Sequence, residues 1–178
     1  MGLRAFGVAV VAAVASLWMM SGTQREKPLL AATEPDAVRT LESRVVASPN
    51  DPLATRALAQ AYLDAREPGL AIVLFQSANA SVQGDVRVEH VYARALIDEG
   101  RNDEALRVER EVLGACQPLA EGRPSPTGCD PVLFASAARR VEILNELVAQ
   151  GVQDAQAHPE ESFAAYQNAT REARVMVQ

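Results

Sequence analysis

Apolar positions recur along most of the chain at spacings of three and four residues, the period of a helix that buries one face. Apolar residues make up 48% of the sequence and aromatic residues only 4%, so alanine and leucine fill most of the apolar share. Both are strong helix formers. The pattern therefore predicts an all-α fold in which helices pack closely through small side chains.

The apolar pattern also repeats at a fixed offset, which equals the distance from Asp51 to Asp85 along the chain. Each copy predicts two helices: Asp51 and Asp85 are capping residues before the first helix, and a turn at Pro68-Gly69 or Gly100 separates it from the second. The following pairs share the offset: Leu58 and Tyr92, Ala59 and Ala93, Tyr62 and Leu96, Ala71 and Ala105, Ile72 and Leu106. Agreement in both the capping residues and the apolar register indicates a true repeat.

This pattern resembles the tetratricopeptide repeat family. The residues that carry the resemblance are Leu58, Ala59, Tyr62, Ala71, Phe75, Ala78, Tyr92, Ala93, Leu96, Gly100, Ala105 and Val112. The resemblance implies a short α-solenoid of antiparallel helix pairs whose first helices line a groove. Two positions depart from the family pattern, because Arg66 stands where a glycine is usual and Glu109 stands where a large apolar residue is usual. The departure at Glu109 leaves the packing at the end of the second copy open.

Two repeats do not bury their own apolar faces, and about three are needed for a stable stack. Flanking helices are expected to supply the rest, one over about 34–47 and two within 131–178 that form a diverged capping unit. Residues 116–130 contain three prolines and two glycines, which predicts a loop. The repeat domain is thus expected to cover residues 34–178, with repeats at about 51–84 and 85–115.

The first 22 residues predict a membrane anchor. Arg4 precedes an uncharged stretch that covers positions 5–22. As a helix this stretch would be roughly 27 Å long, enough to cross the hydrocarbon core of a bilayer. Trp18 falls near its far end, where an indole suits the membrane interface. A cleaved signal peptide and a merely buried helix are the alternatives, and residues 23–33 are expected to form a linker.

The only two cysteines, Cys116 and Cys129, bracket the predicted loop. If the domain lies outside the cytoplasm, such a pair indicates a structural disulfide. Free thiols in a reducing compartment and redox or metal chemistry are the alternatives. We expect the repeat domain to lie outside the cytoplasm, in a bacterial-type periplasm or cell envelope, or to be secreted if the first segment is cleaved. Positive charges flank that segment on both sides, so they leave its membrane orientation open.

The chain carries a net charge of −6, and an acidic domain repels the phosphate backbone of nucleic acids. Nucleic-acid binding is therefore not expected. The sequence does not favour an enzyme either. His90 and His158 have no second histidine or cysteine at helical spacing, and no nucleophile, phosphate-binding or dinucleotide motif appears. We expect no catalytic residue, no metal site and no cofactor.

The resemblance implies that a protein or peptide partner binds along the first helix of each repeat. The side chains expected at this groove are Arg56, Gln60, Leu63, Arg87, His90 and Arg94. Arginine suits an acidic side chain or the C-terminal carboxylate of a peptide. The alternative is that these arginines only pair with neighbouring acids such as Glu89 and Asp98.

Together these features predict a membrane-anchored helical-repeat adaptor that binds a protein or peptide partner at the cell envelope. The alternative is a structural subunit of a membrane protein complex, in which the membrane helix over residues 5–22 makes the main contacts. Deletion of residues 1–22 separates the two functions, because only the adaptor would keep its partner.

Overall fold

The protein is helical throughout the part that the structure describes. The computed structural model describes residues 35–124 and 128–175. Within these ranges it contains eight helices and no strand, which confirms the all-α prediction. The helices are α1 (Pro35–Ala47), α2 (Pro52–Asp64), α3 (Pro68–Ser77), α4 (Ala80–Gln83), α5 (Val86–Asp98), α6 (Asn102–Ala120), α7 (Pro131–Ala149) and α8 (Pro159–Val175).

Two helix pairs repeat at the offset seen in the sequence. The pair α2 and α3 corresponds to the pair α5 and α6, because the start of α5 follows that of α2 at this offset, and the start of α6 follows that of α3 in the same way. Asp51 caps α2 by accepting a hydrogen bond from the amide of Leu53 at 2.9 Å. Asp85 caps α5 in the same way, at 3.0 Å from the amide of Arg87. A carboxylate at this position also suits the positive end of a helix, so the same local chemistry starts both pairs.

The core is built mainly from small and medium-sized apolar side chains between the helix pairs. Its largest cluster joins α2, α3, α5, α6 and α7, and its buried residues include Ala59, Leu63, Ala71, Ala93, Leu96, Ala105 and Leu144. Phe75 of α3 stacks on Tyr92 of α5 with the ring centroids 4.0 Å apart. This aromatic contact ties the first pair to the second.

Two smaller clusters extend the stack toward the C-terminus. One joins α6 to α7 and contains Val112, Cys116, Leu133 and Ala137. The other holds α8 against the end of α7 and contains Leu147, Val152 and Ala165. The buried side-chain amide of Asn102 also donates a hydrogen bond to the carbonyl of Val152 at 3.0 Å. Helices α7 and α8 therefore pack on the repeats as a third pair.

Cys116 and Cys129 are joined by a disulfide, with 5.4 Å between their Cα atoms. This confirms the predicted pairing, and such a bond is typical of an oxidising, non-cytoplasmic environment. The helix before it is longer than the sequence suggests, because α6 continues past Cys116 to Ala120 and the loop begins only there. Cys116 continues the buried stripe of α6 one turn after Val112, and this packing favours the extra helical turn.

The proposed anchor over residues 1–22 and the linker over 23–33 lie outside the described residues. In the part of the chain that the structure does describe, no helix is long and apolar enough to cross a membrane.

Candidate functional site

The first helices of the three pairs are α2, α5 and α7. Helix α2 packs against α5, and α5 meets α7 through a hydrogen bond between His90 and Ser136. All six residues predicted to bind a partner belong to α2 or α5, and the structure gives them different surroundings.

The three predicted residues of α2 differ in their exposure. Leu63 is only 6% exposed and is part of the main core. Gln60 is half-buried and donates a hydrogen bond from Nε2 to Asp64, one turn later, at 2.8 Å. Arg56 is half-buried and forms no ion pair with any residue that the structure describes. Arg56 is thus the one charged residue of the three, and its charge is not paired within the described part of the chain.

Arg87 at the start of α5 is held within the protein. Its guanidinium group forms an ion pair with Asp85 at 2.8 Å, and a Cβ atom added to Gly128 would lie 2.9 Å from its Nε. The hydrogen bond to Asp85 raises the pKa of Arg87 above its ordinary value, and the charge of Asp130 adds to this effect. Arg87 is therefore paired with the N-cap of its own helix, and its side chain lies close to Gly128 in the loop that carries the disulfide.

Arg94 is exposed on α5 and is tied to no acid in the described part of the chain. Asp98 lies one turn further along the same helix. Partial burial raises the pKa of the Asp98 carboxyl above its ordinary value, and the guanidinium groups of Arg94 and Arg140 offset only part of this effect. Arg94 thus acts on Asp98 through space without forming an ion pair with it.

His90 belongs to a polar cluster with Glu109, Ser136 and Arg140, which we call the His90 cluster. Nδ1 of His90 lies 2.9 Å from Oε2 of Glu109, and Nε2 lies 3.1 Å from Oγ of Ser136. Nη1 of Arg140 donates to Oε1 of Glu109 and also to the backbone carbonyl of His90, the latter at 3.0 Å. The cluster therefore joins α5, α6 and α7 at one point.

Glu109 is the most deeply buried member of the cluster, with a side-chain exposure of 0%. A buried carboxylate is destabilising unless other groups compensate its charge. Arg140 occupies one carboxylate oxygen of Glu109 and His90 occupies the other. These contacts explain how α6 accommodates an acid on its inward face, where the sequence left the packing open.

The hydrogen bonds around His90 define its tautomer. Because an ionised carboxylate only accepts hydrogen bonds, Nδ1 must carry the proton that is shared with Glu109. In the neutral ring, Nε2 then has a free lone pair and accepts a hydrogen bond from the hydroxyl of Ser136. The imidazole is oriented from both sides, and its side chain is 15% exposed.

The sequence singled out His90, but it did not predict that Glu109, Ser136 and Arg140 would contact it. For Glu109 a signal existed, since a charged residue on an inward helical stripe requires a buried partner. Ser136 and Arg140 lie 46 and 50 residues away from His90 along the chain. No spacing rule connects positions so far apart, and only the packing of α5 and α7 against α6 brings them together.

The described part of the chain holds no group of three or more His, Cys, Asp or Glu side chains arranged to bind a metal ion. In comparisons with protein-family models, curated proteins and solved structures, nothing matches this chain.

Proposed function

We propose that this chain is a membrane-anchored adaptor whose helical repeats bind a protein or peptide partner at the cell envelope. The observation that carries the proposal is the state of Arg56 and Arg94, which lie on adjoining helices and pair with no acid among the described residues. The resemblance of the repeats to the tetratricopeptide repeat family supports the same function. Consecutive helix pairs with a shared face are suited to holding an extended segment.

The partner segment is expected to present a carboxylate, from an acidic side chain or from its C-terminus. Arginine binds a carboxylate through two parallel N–H bonds, which gives both strength and orientation. Arg56 and His90 occupy equivalent positions in the two repeats. Because His90 is bonded within its own cluster, the second cation of the proposed site is Arg94, one turn further along α5.

The disulfide and the N-terminal sequence support the proposed location. The bond between Cys116 and Cys129 is typical of an oxidising compartment. The uncharged stretch over 5–22 has the length of a membrane helix. In this proposal the linker over 23–33 holds the repeats close to the membrane surface, outside the cytoplasm, where they meet a partner of the same compartment.

Reversing the charge of the two arginines tests the site. The full chain with Arg56→Glu and Arg94→Glu should retrieve about tenfold less partner from detergent-solubilised membranes, because two cations that face the partner become anions. The matched control is Arg44→Glu with Arg107→Glu, which makes the same charge change at exposed positions of α1 and α6. Retrieval should be unchanged in this control. Undiminished retrieval by a folded Arg56→Glu, Arg94→Glu chain would refute the site.

A second comparison separates the adaptor from a structural subunit. The full chain and residues 23–178 are each used as bait, and the retrieved proteins are identified by mass spectrometry. Retrieval of the same partner by both supports the adaptor. Retrieval by the full chain alone supports a subunit whose membrane helix makes the main contacts. Peptides from the identified partner, with free or amidated C-termini, then reveal which carboxylate is recognised.

A further inference from the structure

Ser136, His90 and Glu109 lie in the order of a nucleophile, a general base and the acid that orients the base. The Ser136 hydroxyl is 3.1 Å from Nε2 of His90, and Nδ1 of His90 is 2.9 Å from Glu109. Both distances are within hydrogen-bond reach, which is the geometric requirement for an activated nucleophile. The residues come from α7, α5 and α6 respectively, so tertiary packing creates this order.

The hydroxyl of Ser136 differs from other helical hydroxyls of this protein. A serine or threonine within a helix commonly bonds back to the carbonyl one turn earlier. Four residues do this at 2.7–2.9 Å, namely Thr40, Ser43, Ser162 and Thr170. Ser136 makes no such bond to the described backbone and bonds to His90 instead. Its proton is therefore directed at a base.

Glu109 and Arg140 keep His90 in the form that a base requires. Glu109 is fully buried, and Arg140 and His90 each contact one of its carboxylate oxygens, so the carboxylate is held in a fixed position. Its carboxylate accepts a hydrogen bond from the protonated Nδ1 of His90. The lone pair of Nε2 is then free to accept a hydrogen bond from the Ser136 hydroxyl. A carboxylate in this position also stabilises the imidazolium that forms when His90 takes up a proton.

Arg140 lies one helical turn after Ser136 on α7, a spacing that puts both side chains on the same helix face. Within the His90 cluster Arg140 donates from Nη1 to Glu109 and to the His90 carbonyl, whereas Nε and Nη2 form no hydrogen bond with the described residues. These remaining N–H groups carry positive charge on the helix face that also bears Ser136.

We propose that Ser136 is a reactive nucleophile that attacks activated carboxylic esters, with His90 as its general base. Oγ of Ser136 forms a bond to the carbonyl carbon while its proton passes to Nε2 of His90. The bond between the carbonyl carbon and the alkoxy oxygen then breaks, and this oxygen leaves as an alcohol with the proton from His90. Water attacks the acyl group on Ser136 by the same route, which releases the carboxylic acid and restores the serine.

A fluorophosphonate probe tests the nucleophile on the full chain. The phosphorus of the probe bonds to Oγ of an activated serine and fluoride leaves, so mass spectrometry of the peptides locates the adduct. We expect the adduct on Ser136, and we expect His90→Gln to lower the labelling rate about 100-fold. Ser136→Ala should abolish the adduct. Its matched control, Ser77→Ala, removes an exposed helical hydroxyl and should leave labelling unchanged.

Hydrolysis of p-nitrophenyl acetate gives an independent readout that does not depend on the fold of the His90→Gln variant. The folded wild type should release p-nitrophenol at least about tenfold faster than Ser136→Ala, which loses only a hydroxyl. If the wild type carries no adduct on Ser136 and Ser136→Ala hydrolyses the ester at the same rate, the His90 cluster is only structural and the proposal is overturned. Partner retrieval is tested through Arg56 and Arg94, so the two proposals can fail separately.

The role of Glu109 in orienting His90 is tested by the pH profile of labelling, which a purely structural role would not change. Glu109→Gln keeps the volume of the side chain and removes its charge. In a variant that circular dichroism shows to be folded, labelling of Ser136 should slow and its pH profile should move to lower pH, because the imidazolium loses its carboxylate partner. A wild-type rate and pH profile would show that Glu109 takes no part.

Discussion

Arg66, at the end of α2, has the backbone conformation that Gly100 has at the end of α5. The φ angle is 63° at Arg66 and 72° at Gly100, and the two residues are separated by the repeat offset. In both places the amide of the next residue bonds at 2.8 Å to a carbonyl five residues earlier. A left-handed residue at such a helix end is usually glycine. The first repeat forms the same helix end without one.

Arg66→Gly should stabilise the fold by about 0.5–1 kcal/mol, because a left-handed backbone costs a side-chain-bearing residue more than glycine loses in conformational freedom. Urea denaturation measures the difference. The matched control is Arg66→Ala, which removes the same charge near Asp98 but keeps the strained φ angle, and it should not stabilise. If Arg66→Gly proves no more stable than Arg66→Ala, the strain at this position is negligible.

Rules that act over a few residues predicted much of the fold. The capping residues Asp51 and Asp85, the apolar spacing within each copy and the cysteine pair are all such signals, and the structure contains the corresponding helices and disulfide. Arg66, which is equivalent to Gly100, shows that the preference for glycine at a left-handed helix end need not hold in every copy. A repeat can keep its backbone geometry after the favoured residue has changed.

The candidate site was harder to predict because its members meet only after the helices pack. The repeat offset relates His90 to Arg56, yet only His90 finds a buried carboxylate on the next helix. Leu63 illustrates the same limit. Its position on α2 does not reveal which side of that helix the neighbouring helices cover, and in the structure it is buried in the core.

Loss of the disulfide should destabilise the fold by about 3 kcal/mol, which corresponds to a melting temperature about 6–12 °C lower. The bond closes a loop between cysteines 13 residues apart. Cys116→Ala with Cys129→Ser removes it without leaving a thiol. Thermal unfolding with and without dithiothreitol provides the control, because the reductant should destabilise only the wild type. If the oxidised wild type and the double variant have the same melting temperature, this prediction is wrong.

Glu109→Leu should destabilise the fold by about 3 kcal/mol, because Arg140 is left with a partly buried charge and no carboxylate. Adding Arg140→Met should recover most of this loss, since two apolar side chains then replace the ion pair. Chemical denaturation of both single variants and the double variant gives the coupling free energy. Purely additive losses would mean that the contact between Glu109 and Arg140 contributes little.

Glu89 should make the protein less stable as the pH rises. Burial, together with the charges of Glu111 and Asp85, raises the pKa of its carboxyl from 4.5 to about 6. Because the native state holds this proton more tightly than the unfolded chain, stability falls between about pH 4.5 and pH 6 and stays lower above that range. Glu89→Gln should therefore raise the melting temperature at pH 8 and change it little at pH 4. Glu111→Gln, which removes one repelling charge at an exposed position, should give a smaller gain. An equal effect of Glu89→Gln at both pH values would mean that Glu89 titrates at its ordinary pKa.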